Sequence, residues 1–106
     1  MSDLHNELAI QLRSGGKQFK TLYELCTFAV LFPSVTTAVI SRYVISLRAA
    51  YEETMNELKA QDAKITKISR MGTVQLDSGS RILFVHWEDD CQRLRGLSLD
   101  AVVVLT

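Results

Sequence analysis

The chain has 106 residues, of which 47% are hydrophobic and 23% are charged, with one proline and five glycines. This profile predicts one ordered globular domain spanning residues 1–106 and not a disordered segment. Twelve basic and twelve acidic residues cancel, so no overall charge attracts nucleic acid or an anionic membrane.

The cysteines and the amino terminus bear on location. Cys26 and Cys91 are far apart and have no further cysteine or histidine at metal-ligand spacing, which argues against a zinc site or a disulfide framework and favours free thiols. The first residues are polar, unlike a secretory signal, and the apolar stretches are too short to span a membrane. We therefore expect a cytoplasmic protein without membrane contact.

The first predicted elements are a strand, a loop and a helix. A short apolar segment, Leu8–Leu12, leads into the turn-forming residues Arg13–Lys17. A helical pattern follows and ends at Pro33, and its apolar face contains Leu22, Leu25, Cys26, Ala29 and Val30. The helix is therefore predicted to begin just after a glycine-containing loop.

The middle of the chain predicts a central strand and a long helix. Val35–Ile40 is β-branched and almost entirely apolar, as expected of a strand buried on both faces of a parallel sheet. The second helix has one apolar stripe, formed by Leu47, Ala50, Tyr51, Thr54, Met55 and Leu58. This helix is expected to pack on the sheet.

The remaining segments predict a hairpin and a final strand. Two or three antiparallel strands fit residues 65–85, with a glycine-containing loop at Asp77–Ser80. Glu88–Asp90 is interpreted as a solvated acidic loop, and His86 and Trp87 beside it as packing or surface residues. Ala101–Leu105 again has the pattern of a buried strand.

Together these elements predict an α/β fold of the P-loop NTPase-like kind, a mixed, mostly parallel sheet flanked by helices, with an antiparallel hairpin. Ligands bind such sheets at the carboxyl ends of parallel strands. A phosphate loop needs glycines, a lysine and a helix N-terminus, and Gly15, Gly16 and Lys17 supply this set. Gln11 and Gln18 stand where the full motif has a glycine and a Ser or Thr, and the tripeptide alone also suits a surface turn.

The order of segments resembles the ATPase domain of the terminase large subunit of tailed phages, the motor that drives DNA into capsids. The segments that carry the resemblance are 12–17, 35–41, 74–82, 94–96 and 100–104. The resemblance implies that Lys17 contacts the β- and γ-phosphates of ATP, with Ser14, Gly15, Gly16 and Gln18 completing the cofactor-binding loop. It also implies that Arg13 is a charge-stabilising finger and that Arg95 and Gly96 form the loop before the Walker B strand.

Two departures from the family pattern limit the implied activity. Gln18 replaces the threonine that ligates Mg²⁺, and the last strand finishes in Leu105 and Thr106 where the family has Asp-Glu. We therefore expect a partial P-loop ATPase-like domain that binds nucleotide at most and does not hydrolyse it alone, with no protein metal site.

The resemblance implies ATP and Mg²⁺ as cofactors. It also implies the remainder of a terminase large subunit, the small terminase or the portal as partners. DNA would be reached only through such an assembly, in the host cytoplasm for a phage-encoded chain. The alternative is a catalytically inactive, P-loop-derived binding or regulatory module for a phage or host protein. An unrelated small enzyme has little support, because no acid-base pair, nucleophile or metal cluster is evident.

Overall fold

The computed structural model describes residues 12–70, 72–90, 94 and 97–105. Its strands are β1 (Leu12–Phe19), β2 (Thr36–Ser41), β3 (Ile65–Ile68), β4 (Thr73–Leu76), β5 (Arg81–His86) and β6 (Leu99–Leu105). Its helices are α1 (Leu22–Leu31), α2 (Val44–Ala60) and the one-turn α3 (Trp87–Asp90). None of the helices in these ranges combines the length and apolar content that a membrane crossing requires.

The strands form one six-stranded sheet in the order β1-β6-β2-β5-β4-β3. The first four are mutually parallel, whereas β4 runs antiparallel to β5 and β3 antiparallel to β4. The predicted α/β class, with a mixed sheet and an antiparallel hairpin, is therefore confirmed. The P-loop NTPase-like kind of fold stays a prediction.

The two long helices form where the apolar spacing predicts them. α1 buries Leu22, Leu25, Cys26 and Ala29, and α2 buries Ala50, Thr54 and Leu58. All six residues of β2 are buried, as predicted for a central strand. Periodicity therefore identified both the helical faces and the strand enclosed on both sides.

Both long helices pack on the same face of the sheet. Their buried apolar residues join one cluster with Val39, Phe84, Ala101 and Val103. The opposite face, represented by Ile40 of β2, is covered by Trp87, Leu94 and Leu97 from the connection between β5 and β6. The helices α1 and α2 therefore cover one face of the sheet, and the described residues of the β5–β6 connection pack on the other.

The one-turn helix α3 replaces a predicted loop. Residues 88–90 were expected to form an acidic loop, and in the structure they continue from Trp87 as a helical turn. Trp87 packs against the apolar cluster on this face. The prediction of a loop at residues 88–90 was therefore wrong. The prediction that Trp87 is a packing residue is confirmed.

The glycine loop predicted over Arg13–Lys17 is not formed, and this prediction was wrong. These residues lie inside β1, which pairs with β6 in parallel. Leu12 pairs with Leu99 and Lys17 with Ala101, so five residue steps in β1 oppose two in β6. Glycines that would permit a phosphate loop also permit an irregular edge strand, and pairing with β6 selects the second outcome.

Candidate functional site

The carboxyl ends of β1 and β6 lie beside the N-terminus of α1. β1 ends at Phe19, and Thr21 is the N-cap of α1 with extended backbone angles. The Thr21 hydroxyl accepts a hydrogen bond from the Glu24 backbone N–H and donates one to Glu24 Oε1, both at 3.1 Å. This arrangement is a capping contact that fixes the first turn of α1 at the edge of the sheet.

A cleft of about 410 Å³ opens at this edge. Its walls are the start of α1, the first half of α2 and the end of β6. The lining residues are Lys20, Leu22, Ser46, Ala49, Ala50, Glu53, Val104 and Leu105. The cleft thus lies where parallel α/β sheets bind ligands, and it combines an apolar floor with one positive and one negative side chain.

The chemistry of the cleft suits a phosphate better than a metal ion. Lys20 is exposed and supplies an ammonium group, and the N-terminus of α1 adds partial positive charge. Glu53 is the carboxylate among the lining residues. The nearby Thr21 hydroxyl already hydrogen-bonds to Glu24 in the helix cap. In the described parts of the chain no group of three or more His, Cys, Asp or Glu could hold a metal ion. The donor set therefore does not fit a resident Mg²⁺.

The residues predicted to bind the cofactor are not gathered in this cleft. Lys17 lies on the helical face of the sheet, with Nζ 6.0 Å from the centre of the Phe28 ring. Gln18 pairs with Val102 and so lies on the opposite face. Gly15 and Gly16 belong to the irregular part of β1, between the paired residues on either side.

The remaining predicted residues lie outside the described side chains. The backbone of Arg13 and Ser14 is part of β1, but their side chains are not among those described, and Arg95 and Gly96 lie outside the described residues altogether. The roles assigned to these four residues stay predictions.

Two further side chains have structural partners. His86 Nε2 lies 2.8 Å from the carbonyl oxygen of Arg42, which fits a donating ring N–H. Cys26 is a free, buried cysteine, as expected. Burial and the carboxylates of Glu57 and Glu53 raise the pKa of the Cys26 thiol to about 12, so it stays protonated and unreactive near neutral pH.

Sequence reasoning missed Lys20 and Thr21 because it placed the loop at residues 13–17, whereas β1 continues to Phe19 and the helix begins at Leu22. A signal was present: Thr21 and Glu24 have the spacing of a capping box just before an apolar helical face. That pattern locates the start of α1 and, with it, the carboxyl end of β1. The lysine next to the helix is then Lys20.

The chain was also compared with proteins of known family, function and structure. Neither the protein-family models, nor the curated proteins, nor the solved structures gave a match.

Proposed function

We propose that this chain is a terminase-like, P-loop-derived module that binds nucleotide phosphate and does not hydrolyse the nucleotide on its own. The observation that carries the proposal is the cleft at the carboxyl ends of β1 and β6, beside the N-terminus of α1 and next to Lys20. The resemblance in the order of the sequence segments is a second support, although β1 replaces the loop expected over residues 13–17.

The proposed contact differs from the one expected from the sequence. Lys20 follows the last residue of β1 and lines the cleft, whereas Lys17 lies within the strand. A phosphate beside Lys20 would meet an ammonium group and the first N–H groups of α1. Glu53 opposes such an anion electrostatically, which favours weak binding.

Hydrolysis needs a metal-held phosphate and a group that positions water. The lining of the cleft offers one carboxylate, Glu53, and no metal-binding group. We therefore propose nucleotide binding independent of Mg²⁺. In this proposal, hydrolysis and DNA contact belong to an assembly with other terminase components, such as the rest of a large subunit, the small terminase or the portal.

The test is a titration of a fluorescent ATP analogue into the purified chain, with and without Mg²⁺. Lys20→Gln should weaken binding at least tenfold, since a charged hydrogen bond contributes roughly 1.5–3 kcal/mol. The matched control is Lys17→Gln, which removes the same charge three residues earlier and should leave binding unchanged. Loss of binding in the Lys17 variant alone would instead support the phosphate loop predicted at residues 13–17. Equal binding by all three proteins would contradict phosphate binding at Lys20.

A second candidate function is binding of a phage or host protein. Three consecutive apolar residues at the start of α2 are exposed: Tyr43 by 61%, Val44 by 52% and Ile45 by 84%. Adjacent exposed apolar side chains are typical of interaction surfaces. A folded chain that shows no affinity for ATP at millimolar concentration would favour this candidate over nucleotide binding.

A further inference from the structure

A row of polar residues crosses the sheet on the face opposite to α1 and α2. Lys67 pairs with Gln75, Gln75 with Arg81, and Arg81 with Thr36. The row continues to Asp100, whose Oδ2 accepts a hydrogen bond of 2.8 Å from the Thr36 backbone N–H. Directly paired residues point to the same face, so the four paired side chains form one row, which the hydrogen bond from Thr36 extends to Asp100.

The positive end of this row borders a separate pocket. The pocket has a volume of about 220 Å³ and is lined by Lys67, Ser69, Thr73, Gln75 and Arg81. Every lining residue is polar, two are cationic and none is acidic. Such a lining is unsuited to an apolar ligand and suits an anion.

The two cations are placed to act on one ligand. Their strands are separated by β4, so their Cα atoms lie about 10 Å apart at the usual strand spacing, and both side chains are long enough to meet above Gln75. Arg81 is half-buried, and its Nη2 donates a hydrogen bond of 3.1 Å to Thr36 Oγ1. This contact fixes the guanidinium while leaving other N–H groups able to donate.

Hydroxyl groups complete the set of donors. Ser69 Oγ accepts a hydrogen bond of 3.2 Å from the Thr73 backbone N–H, which orients the hydroxyl at the rim of the pocket. Asp100 is the negative charge of the row and lies two strands from Arg81, on the side away from Lys67. The potential along the row is therefore most positive between Lys67 and Arg81.

We propose that this pocket binds a phosphate-type oxyanion, held between Lys67 and Arg81. Its volume lies below the roughly 300–1,000 Å³ of pockets for drug-sized ligands, which fits a single phosphate group better than a whole nucleotide. The pocket lies on the other face of the sheet from the Lys20 cleft, so the two sites are independent. Free phosphate and the phosphate of a small phosphomonoester share the chemistry that the pocket recognises.

The test is a titration of the ¹⁵N-labelled chain with inorganic phosphate, followed by amide chemical shifts at constant ionic strength. Shifts are expected at residues 67–69, 73–75 and 81. Lys67→Gln should raise the apparent Kd at least tenfold, whereas the matched variant Lys64→Gln, which removes an exposed lysine immediately before the same strand, should not change it. Lys20→Gln should leave the shifts at these residues unchanged, which separates the pocket from the proposed nucleotide cleft.

The same spectra show whether each variant is folded. A repeat with ribose 5-phosphate distinguishes the two sources: tighter binding than that of inorganic phosphate indicates an esterified ligand, and equal binding indicates free phosphate. Shifts scattered over the whole surface, or equal Kd values for the wild type and the Lys67 variant, would overturn the proposal.

Discussion

A buried hydroxyl in α2 offers a direct test of how polar groups affect the stability of this core. Thr54 and Thr37 are both fully buried. Thr37 Oγ1 donates a hydrogen bond of 2.9 Å to the Arg81 carbonyl oxygen. Thr54 Oγ1 interacts with the Cys26 thiol, a weak hydrogen-bonding group, and meets no oxygen or nitrogen partner among the described residues.

The same substitution should therefore have opposite effects at the two positions. Thr54→Val removes a poorly satisfied buried hydroxyl and should raise the free energy of unfolding by about 1 kcal/mol. Thr37→Val removes a made hydrogen bond and should lower it by about 1 kcal/mol. Valine has nearly the shape of threonine, so packing should be preserved at both sites. The two variants should then differ in the free energy of unfolding by about 2 kcal/mol.

Urea unfolding, followed by the fluorescence of Trp87, measures both free energies. The single tryptophan packs against the core and reports its opening. The slope of the transition should be the same in all three proteins, since none changes the surface exposed on unfolding. If Thr54→Val lost as much stability as Thr37→Val, the contact with Cys26 would be a full hydrogen bond and the reasoning would be wrong.

Two further predictions concern a turn and the buried thiol. Gly79→Ala should lower the free energy of unfolding by about 2 kcal/mol, since φ there is +88° and a Cβ would lie 3.0 Å from Ser34 Oγ. Gly72→Ala should lower it by about 1 kcal/mol in the same urea assay, because φ is similar at +80° but the nearest atom to the Cβ would be 3.5 Å away. Equal losses would show that contact with Ser34 is irrelevant. The Cys26 thiol has its pKa raised from 9.0 to about 12, so the unfolded chain releases this proton first and stability should fall between pH 9 and pH 12. Unfolding measured across that range should show a smaller fall in Cys26→Ala, and identical pH profiles would contradict the raised pKa.

Periodicity in the sequence predicted most of the scaffold. The apolar stripes of α1 and α2 and the unbroken apolar run of β2 are strong signals, because burial of a whole face or strand leaves a repeat in the sequence. The hairpin loop was predicted from Gly79, because glycine adopts without strain the positive φ that such a turn needs, and φ is positive there in the structure.

Pairing and packing over long distances were harder to predict. The sequence does not show that β6 lies between β1 and β2, and this position is what extends β1 through the glycines. The polar row was missed for the same reason: Lys67, Arg81 and Asp100 are separated along the chain and come together only through the register of four strand pairs. A pattern within one segment carries no information about such pairs.

The end of β1 determines which lysine meets the cleft. Phe19 is in register with Val103 of β6, and its ring packs against that of Phe28 in α1 with the centroids 5.5 Å apart. Burial of this aromatic pair favours an extended chain through residue 19 and places the next residue, Lys20, at the carboxyl edge. Had the strand ended at Leu12, Lys17 would have followed the loop and preceded the helix. The position of the proposed phosphate-binding lysine is therefore determined by apolar packing at Phe19 and not by the glycines that first suggested a phosphate loop.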